Sequence, residues 1–352
     1  MKKRALLVII LLIAVCNATL GQETTENESK LAYAVSLYYK GENAQNFYDA
    51  IHKYRDFVEA NQRTHDYFAL WKQEIYYDIQ HNHYRNALKK TEQLKDELKD
   101  RDAEPYYYLI DYLMGMFYGM REENQLAKQH LLQAIKLAEP ENDSAELLAI
   151  YQMLTNISIF KHLEEELVGY SWADQAVRLS QTPEDRCASL SLKSMVAFGH
   201  VDRTTFEKCY ADITRIKREN PDKQFTKYSK YVALCRATYD GDYDRAVQLC
   251  DSIADEVGRY YFLATIYEVK GDVAGERDAL LKLLKAKDRR NNEISTLTVN
   301  DINQDFQLEL QRYSVQKAQI YAQITRIVVI SLAVVLCFVI LYLILRRRWR
   351  CK

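Results

Sequence analysis

A chain of 352 residues with 48% hydrophobic and 28% charged content carries enough apolar material for a large core, which excludes disorder as its main state. Ten Gly and four Pro are too few for a turn-rich β architecture, so helices are expected throughout. The formal net charge of −1 hides an uneven split: three of the 48 Lys and Arg lie in 2–4 and five in 346–352, so the segment between carries 40 against 49 acidic residues, a balance of −9 that argues against a nucleic-acid partner.

Met1 to Arg4 form a positive stretch ahead of an apolar run from Ala5 to Val15. Such a run is too short to cross a bilayer and has the form of a signal peptide, expected over 1–21 with cleavage after Ala18 or Gly21.

From 22 to 288 the sequence reads as a train of amphipathic helices. Pro105, Pro140, Pro183 and Pro221 are 35, 43 and 38 residues apart, and three of them are read as ending a helix-rich segment where a repeating unit would turn. The clearest segment runs from Tyr108 to Glu141. Its first helix carries Gly115 and Tyr118; its second carries Ala127, Leu131 and Ala134 ahead of Pro140, placing small residues where two antiparallel helices must approach closely. Those six residues resemble the tetratricopeptide repeat, with the terminal Pro displaced by one. A second segment, from Lys227 to Asp255, contains Tyr239-Asp240-Gly241-Asp242-Tyr243-Asp244-Arg245-Ala246, similar to that family's interhelix turn and close-packing Ala. A third places Tyr260, Leu263, Ala264 and Tyr267 on a first helix, Gly271-Asp272 in the turn, and Leu280 and Leu283 on the packing face of the second. Weaker segments surround Ala87, Ala176, and Ala197 with Cys209, and a degenerate one lies near 31–60, giving six or seven repeats.

Over 289–326 the pattern changes to a juxtamembrane helix. Phe306, Leu310, Tyr313, Lys317, Ile320, Ile324 and Ile327 alternate spacings of four and three, a seam that either pairs two chains into a homodimer as a coiled coil or packs on the last repeat. Ile327 to Leu345 is a run of nineteen residues without charge, long enough to cross a membrane as a helix. Arg346, Arg347, Arg348 and Arg350 follow directly in the tail 346–352. By the positive-inside rule these four residues set the topology, placing the tail in the cytoplasm and the repeats in the periplasm, outside the inner membrane.

No Gly-rich phosphate loop or nucleophile elbow is present, and the seven His lack metal-ligand spacing. No catalytic, metal or cofactor-binding residue is therefore expected, and the chain reads as a binding module and not an enzyme. The exported cysteines Cys187, Cys209, Cys235 and Cys250 follow no disulfide framework, leaving buried thiols and a single bridge both open. Tyrosine is the anomaly, with 27 copies concentrated in first helices. In tetratricopeptide arrays first helices line the concave surface, and superposing the segments puts Tyr112, Met116, Tyr231 and Tyr261 on that face, as anchors for a protein or peptide ligand or as packing between helices.

The layout of leader, repeats, heptads, span and basic tail resembles the extracytoplasmic sensor half of Bacteroidetes-type membrane histidine kinases and related regulators, without their effector domain. The resemblance implies an all-α fold, a tetratricopeptide-like solenoid followed by a juxtamembrane helix and one transmembrane helix. It also implies a sensor or adaptor that passes its state to a membrane signalling protein. The competing reading is a structural scaffold for an envelope complex, with the span a plain anchor.

Overall fold

The computed structural model describes residues 28–37, 43–141, 144–159, 166–200, 202–225, 228–253 and 255–294, together with short pieces between 299 and 330; these are helical apart from turns and bends, with no strand among them. The expected leader, residues 331–345 of the expected span, and Arg346, Arg347, Arg348 and Arg350 lie outside the described residues.

Among the described residues fourteen α-helices succeed one another up to residue 293: α1 (28–37), α2 (Ala44–Ala60), α3 (Thr64–Gln80), α4 (Tyr84–Asp100), α5 (Tyr108–Met120), α6 (Asn124–Ala138), α7 (Ser144–Ile159), α8 (Glu166–Leu179), α9 (Pro183–Gly199), α10 (Arg203–Glu219), α11 (Ser229–Tyr239), α12 (Tyr243–Asp251), α13 (Glu256–Lys270) and α14 (Val273–Glu293). From α3 onward each odd-numbered helix packs on the even-numbered helix after it, and successive odd-numbered helices from α5 to α9 and on to α11 also touch. The result is a row of helix pairs, an α-solenoid arrangement in which first helices form one layer and second helices the other. The row curls, because α14 comes back to contact α4.

One turn is used again and again. The amide of Arg63 donates to the carbonyl of Val58, and the same six-residue closure recurs from His83 to Asp78, Ala103 to Leu98, Glu123 to Tyr118, Asp202 to Ala197, Asp242 to Ala237 and Asp272 to Tyr267. This closure satisfies a carbonyl at the helix end and requires a left-handed residue just before the donor. Gly241 and Gly271 supply it in the C-terminal pairs, with φ of 78° and 77°. In the N-terminal pairs the same position is held by Gln62, Asn82, Asp102 and Glu122, spaced every twenty residues. Polar side chains here tolerate the left-handed region at a cost that packing of the flanking helices offsets. Entry into the next helix is fixed by side-chain caps: Asp202, Asp242, Asp255 and Asp272 each accept the amide three residues on.

Small residues let the paired helices approach. A Cβ added to Gly115 would lie 2.6 Å from Leu131 Cγ and 3.1 Å from the carbonyl oxygen of Ala127, so only glycine permits α5 and α6 to meet at this separation. Ala127, Leu131 and Ala134 are fully buried across that contact.

Two sequence expectations are corrected. Pro183 does not close a segment; it opens α9 behind the Thr182 cap, where the missing amide of proline costs nothing. Leu280 is not on the packing face of α14 but 46% exposed, because the buried stripe of that helix is Ala279, Leu283 and Ala286 and its neighbour is turned about 100° away. Cys187, Cys209, Cys235 and Cys250 are buried free thiols. Burial pushes Cys209 up to about 11 and Cys250 up to about 12, which keeps both protonated and inert.

The described residues from 300 on belong to a unit separate from the helix pairs. Within the expected seam Phe306 is buried, Ile324 and Ile327 are exposed, and Tyr313, Lys317 and Ile320 lie outside the residues whose side chains are described. Residues 321–330 are helical. No helix among the described residues is long and apolar enough to cross a membrane.

Candidate binding cavity

The inner layer of odd-numbered helices encloses a cavity of about 520 Å³. Each of α3, α5, α7, α9, α11 and α13 sends side chains into it, and α14 supplies its edge. The helical period explains which ones. On α5, Tyr112 and Met116 stand four residues apart and share a face; on α7, Met153 and Asn156 do the same three apart. Tyr112, Met116, Tyr231 and Tyr261, singled out in the sequence, all line this one space. Tyr112 and Met116 are buried, while Tyr231 and Tyr261 are half-buried.

The tyrosines are held by one another. The hydroxyls of Tyr76 and Tyr112 hydrogen bond across α3 and α5, and their rings meet edge to face at 6.1 Å. Lys72 Nζ stands 5.9 Å from the Tyr112 ring centroid, its charge met by Glu146 at 2.5 Å. On the opposite wall Phe262 packs between Tyr231, at 5.4 Å, and Tyr261, at 5.6 Å. Burial raises the phenols: Tyr112 well above its ordinary value, Tyr228 up to about 12, and Tyr231 and Tyr261 in the same direction. All four stay neutral at any physiological pH, so the walls offer aromatic faces and uncharged hydroxyls.

Charge in the lining comes from Glu122, Lys287 and Arg290, where α14 meets the α5–α6 turn, and from Asp255 at the start of α13. Lys287 Nζ pairs with Glu122 at 2.6 Å, on the left-handed residue of that turn. Arg121 Nη1 donates to the carbonyls of Asn291, at 3.2 Å, and Ile294, at 2.6 Å, satisfying acceptors at the C-terminal end of α14. Arg290 also lines the cavity; its Nε is buried without a hydrogen-bond partner, and no ion pair among the described residues holds its guanidinium.

Two buried polar clusters lie in the N-terminal pairs, and sequence reading passed over both. Glu74 and Asp78, a turn apart on α3, are bridged by Lys90 Nζ at 2.9 and 2.6 Å, while Arg55 also pairs with Glu74. Burial alone would raise Glu74, but Arg55 and Lys90 outweigh it and hold the carboxyl below its ordinary value. Between α5 and α6, Asp111 Oδ1 meets His130 Nδ1 at 2.7 Å, and His130 stacks on Tyr118 at 5.2 Å. Burial raises Asp111 despite the histidine. The available signal was acidic residues on otherwise apolar helix faces with a basic residue in the paired helix. Neither cluster touches the cavity, and both are packing elements.

What the arrangement can do is enclose something small, aromatic-friendly and largely uncharged, with polar handles at Gln152, Asn156 and the α14 edge. Among the described residues no group of three or more His, Cys, Asp or Glu could hold a metal ion. Comparison with protein-family models and with curated protein sequences gives no match to this chain.

Proposed function

We propose that the protein is a membrane-anchored, extracytoplasmic sensor or adaptor of the tetratricopeptide type, which binds a protein or peptide partner on the inner face of its helical array. The observation that carries this reading is convergence: Tyr112, Met116, Tyr231 and Tyr261, from three different helix pairs, line one cavity walled by aromatic and Met side chains. Aromatic rings already ordered by their neighbours make good anchors, because they cover large area with little further entropy to lose.

Coupling to a membrane signalling protein is the second half of the proposal. The helix that edges the cavity, α14, is the last of the array, and the sequence runs from it through the heptad segment to the apolar residues 327–345. Ile327 to Ile330 are four consecutive apolar residues of one helix, each more than half exposed, a pattern that suits lipid better than water. On this reading the span sits in the inner membrane with Arg346 to Arg350 on the cytoplasmic side.

The test is in-cell crosslinking of the full-length protein in its membrane, with partners identified by mass spectrometry, comparing wild type with Tyr231→Ala and Tyr261→Ala. The expected result is a partner that the variants lose while their unfolding stays cooperative. Recovery of the same partners by the variants would contradict binding at the inner face. Recovery of envelope proteins alone, insensitive to replacement of 327–345 by an unrelated anchor, would make the array a scaffold.

A further inference from the structure

The edge of the cavity points to the chemistry of what enters it. We infer that the cavity is a site for a small amphipathic carboxylic acid, whose carboxylate is received by Arg290 and whose apolar body lies between the tyrosine and methionine walls. This rests on the reading of the inner face as a binding surface and places a small acid, in place of a peptide, inside the cavity itself.

Four charged side chains line the cavity: Glu122, Asp255, Lys287 and Arg290. Lys287 and Glu122 neutralise each other at 2.6 Å. Asp255 caps α13, its Oδ2 accepting the amide of Gly258 at 2.8 Å, and so is engaged with the positive end of that helix. Arg290 is the cation of the four that has no ion pair among the described residues. A guanidinium cannot shed its proton, and Arg290 lines the cavity with no ion pair among the described residues, so an anion in the cavity would meet its charge. Carboxylate geometry matches the guanidinium fork better than a point anion does.

Size and closure argue for a small ligand. The space of about 520 Å³ falls within the range that encloses drug-sized molecules. The bonds from Lys287 and Arg121 bring α14 across to the α5–α6 turn, so a long peptide could not lie through the cavity without breaking them. The body of the ligand would meet Met116, Met153, Tyr231 and Phe262, a wall that suits an aromatic or branched aliphatic group.

The experiment uses the full chain in lipid nanodiscs, titrated calorimetrically with 3-phenylpropanoate and indole-3-propanoate and with the matching neutral amides. The acids should bind about tenfold or more tightly than the amides, as expected for hydrogen bonds to a charged group. Arg290→Gln should bring acid and amide together, Arg290→Lys should keep part of the preference, and Met116→Trp, which fills the cavity, should abolish binding of both. Thermal unfolding of each variant checks that the array is intact. Failure of both acids to bind the wild-type chain, or an acid preference that survives in Arg290→Gln, would overturn the inference. A crosslinked partner at the inner face with no preference for acids would overturn it too, while leaving the adaptor reading in place.

Discussion

Two helices of the array face the same cavity and are held there in opposite ways. In α5 eleven of thirteen residues are buried, on every side of the helix. In α14, with 21 residues, only Ala279, Leu283 and Ala286 are. The first is fixed by volume: Gly115 against Leu131 leaves no space for a shift, and the side chains around it interlock with α6 and α7. The second is held at the cavity edge by exchangeable polar contacts, from Lys287 to Glu122 and from Arg121 to the last carbonyls. The contrast separates a wall, whose integrity is the stability of the fold, from an edge that can move without unfolding it.

The largest effect expected from breaking the wall comes at Glu74 on α3, beside α5 in the inner layer. Glu74→Gln leaves Arg55 facing a neutral side chain and Lys90 with Asp78 alone, and should cost about 3 kcal/mol in urea unfolding at pH 7. The pH dependence has a defined sign. Because the folded-state carboxyl is held below its ordinary value of 4.5, its contribution is fully present above that pH and is lost as pH falls below it and through the lower folded-state value. The variant and wild type should therefore converge in acid. Gly115→Ala should follow at about 2 kcal/mol, from overpacking against Leu131. The smallest effect belongs to the edge: Arg121→Ala with Lys287→Ala should lower global stability by only about 1 kcal/mol, yet amide exchange over 287–293 should quicken several-fold while that of α5 is unchanged. Equal acceleration in both helices would erase the distinction between them.

The helix pairs were legible in the sequence where glycine and alanine carry the close approach, as at Gly115 with Ala127 and at Gly271 before α14. They were faint where the left-handed turn residue is Gln62 or Glu122, because nothing in those side chains announces the conformation that the neighbouring helices impose; Asn82 and Asp102 favour it but are equally common in any surface turn. Proline spacing misled at Pro183, since the same residue that cannot continue a helix is well suited to start one. The inner-face tyrosines could be found by superposing first helices, for their direction follows from the helical period. The edge could not. Lys287 and Glu122 are far apart in sequence, and their meeting depends on the curl of the whole array, so in the sequence both read as solvated charges. Arg290 stood out only once the ion pairs around it were known.

On the proposed reading the inner face of the array is where this protein binds. A photo-crosslinking amino acid is placed at Met153, inside the cavity, and separately at Leu126, exposed on α6, in the full-length protein expressed in its native cells. The account predicts a defined-mass adduct at Met153 that is absent at Leu126 and is lost when Tyr231→Ala is added. An adduct at Leu126 with none at Met153 would contradict it.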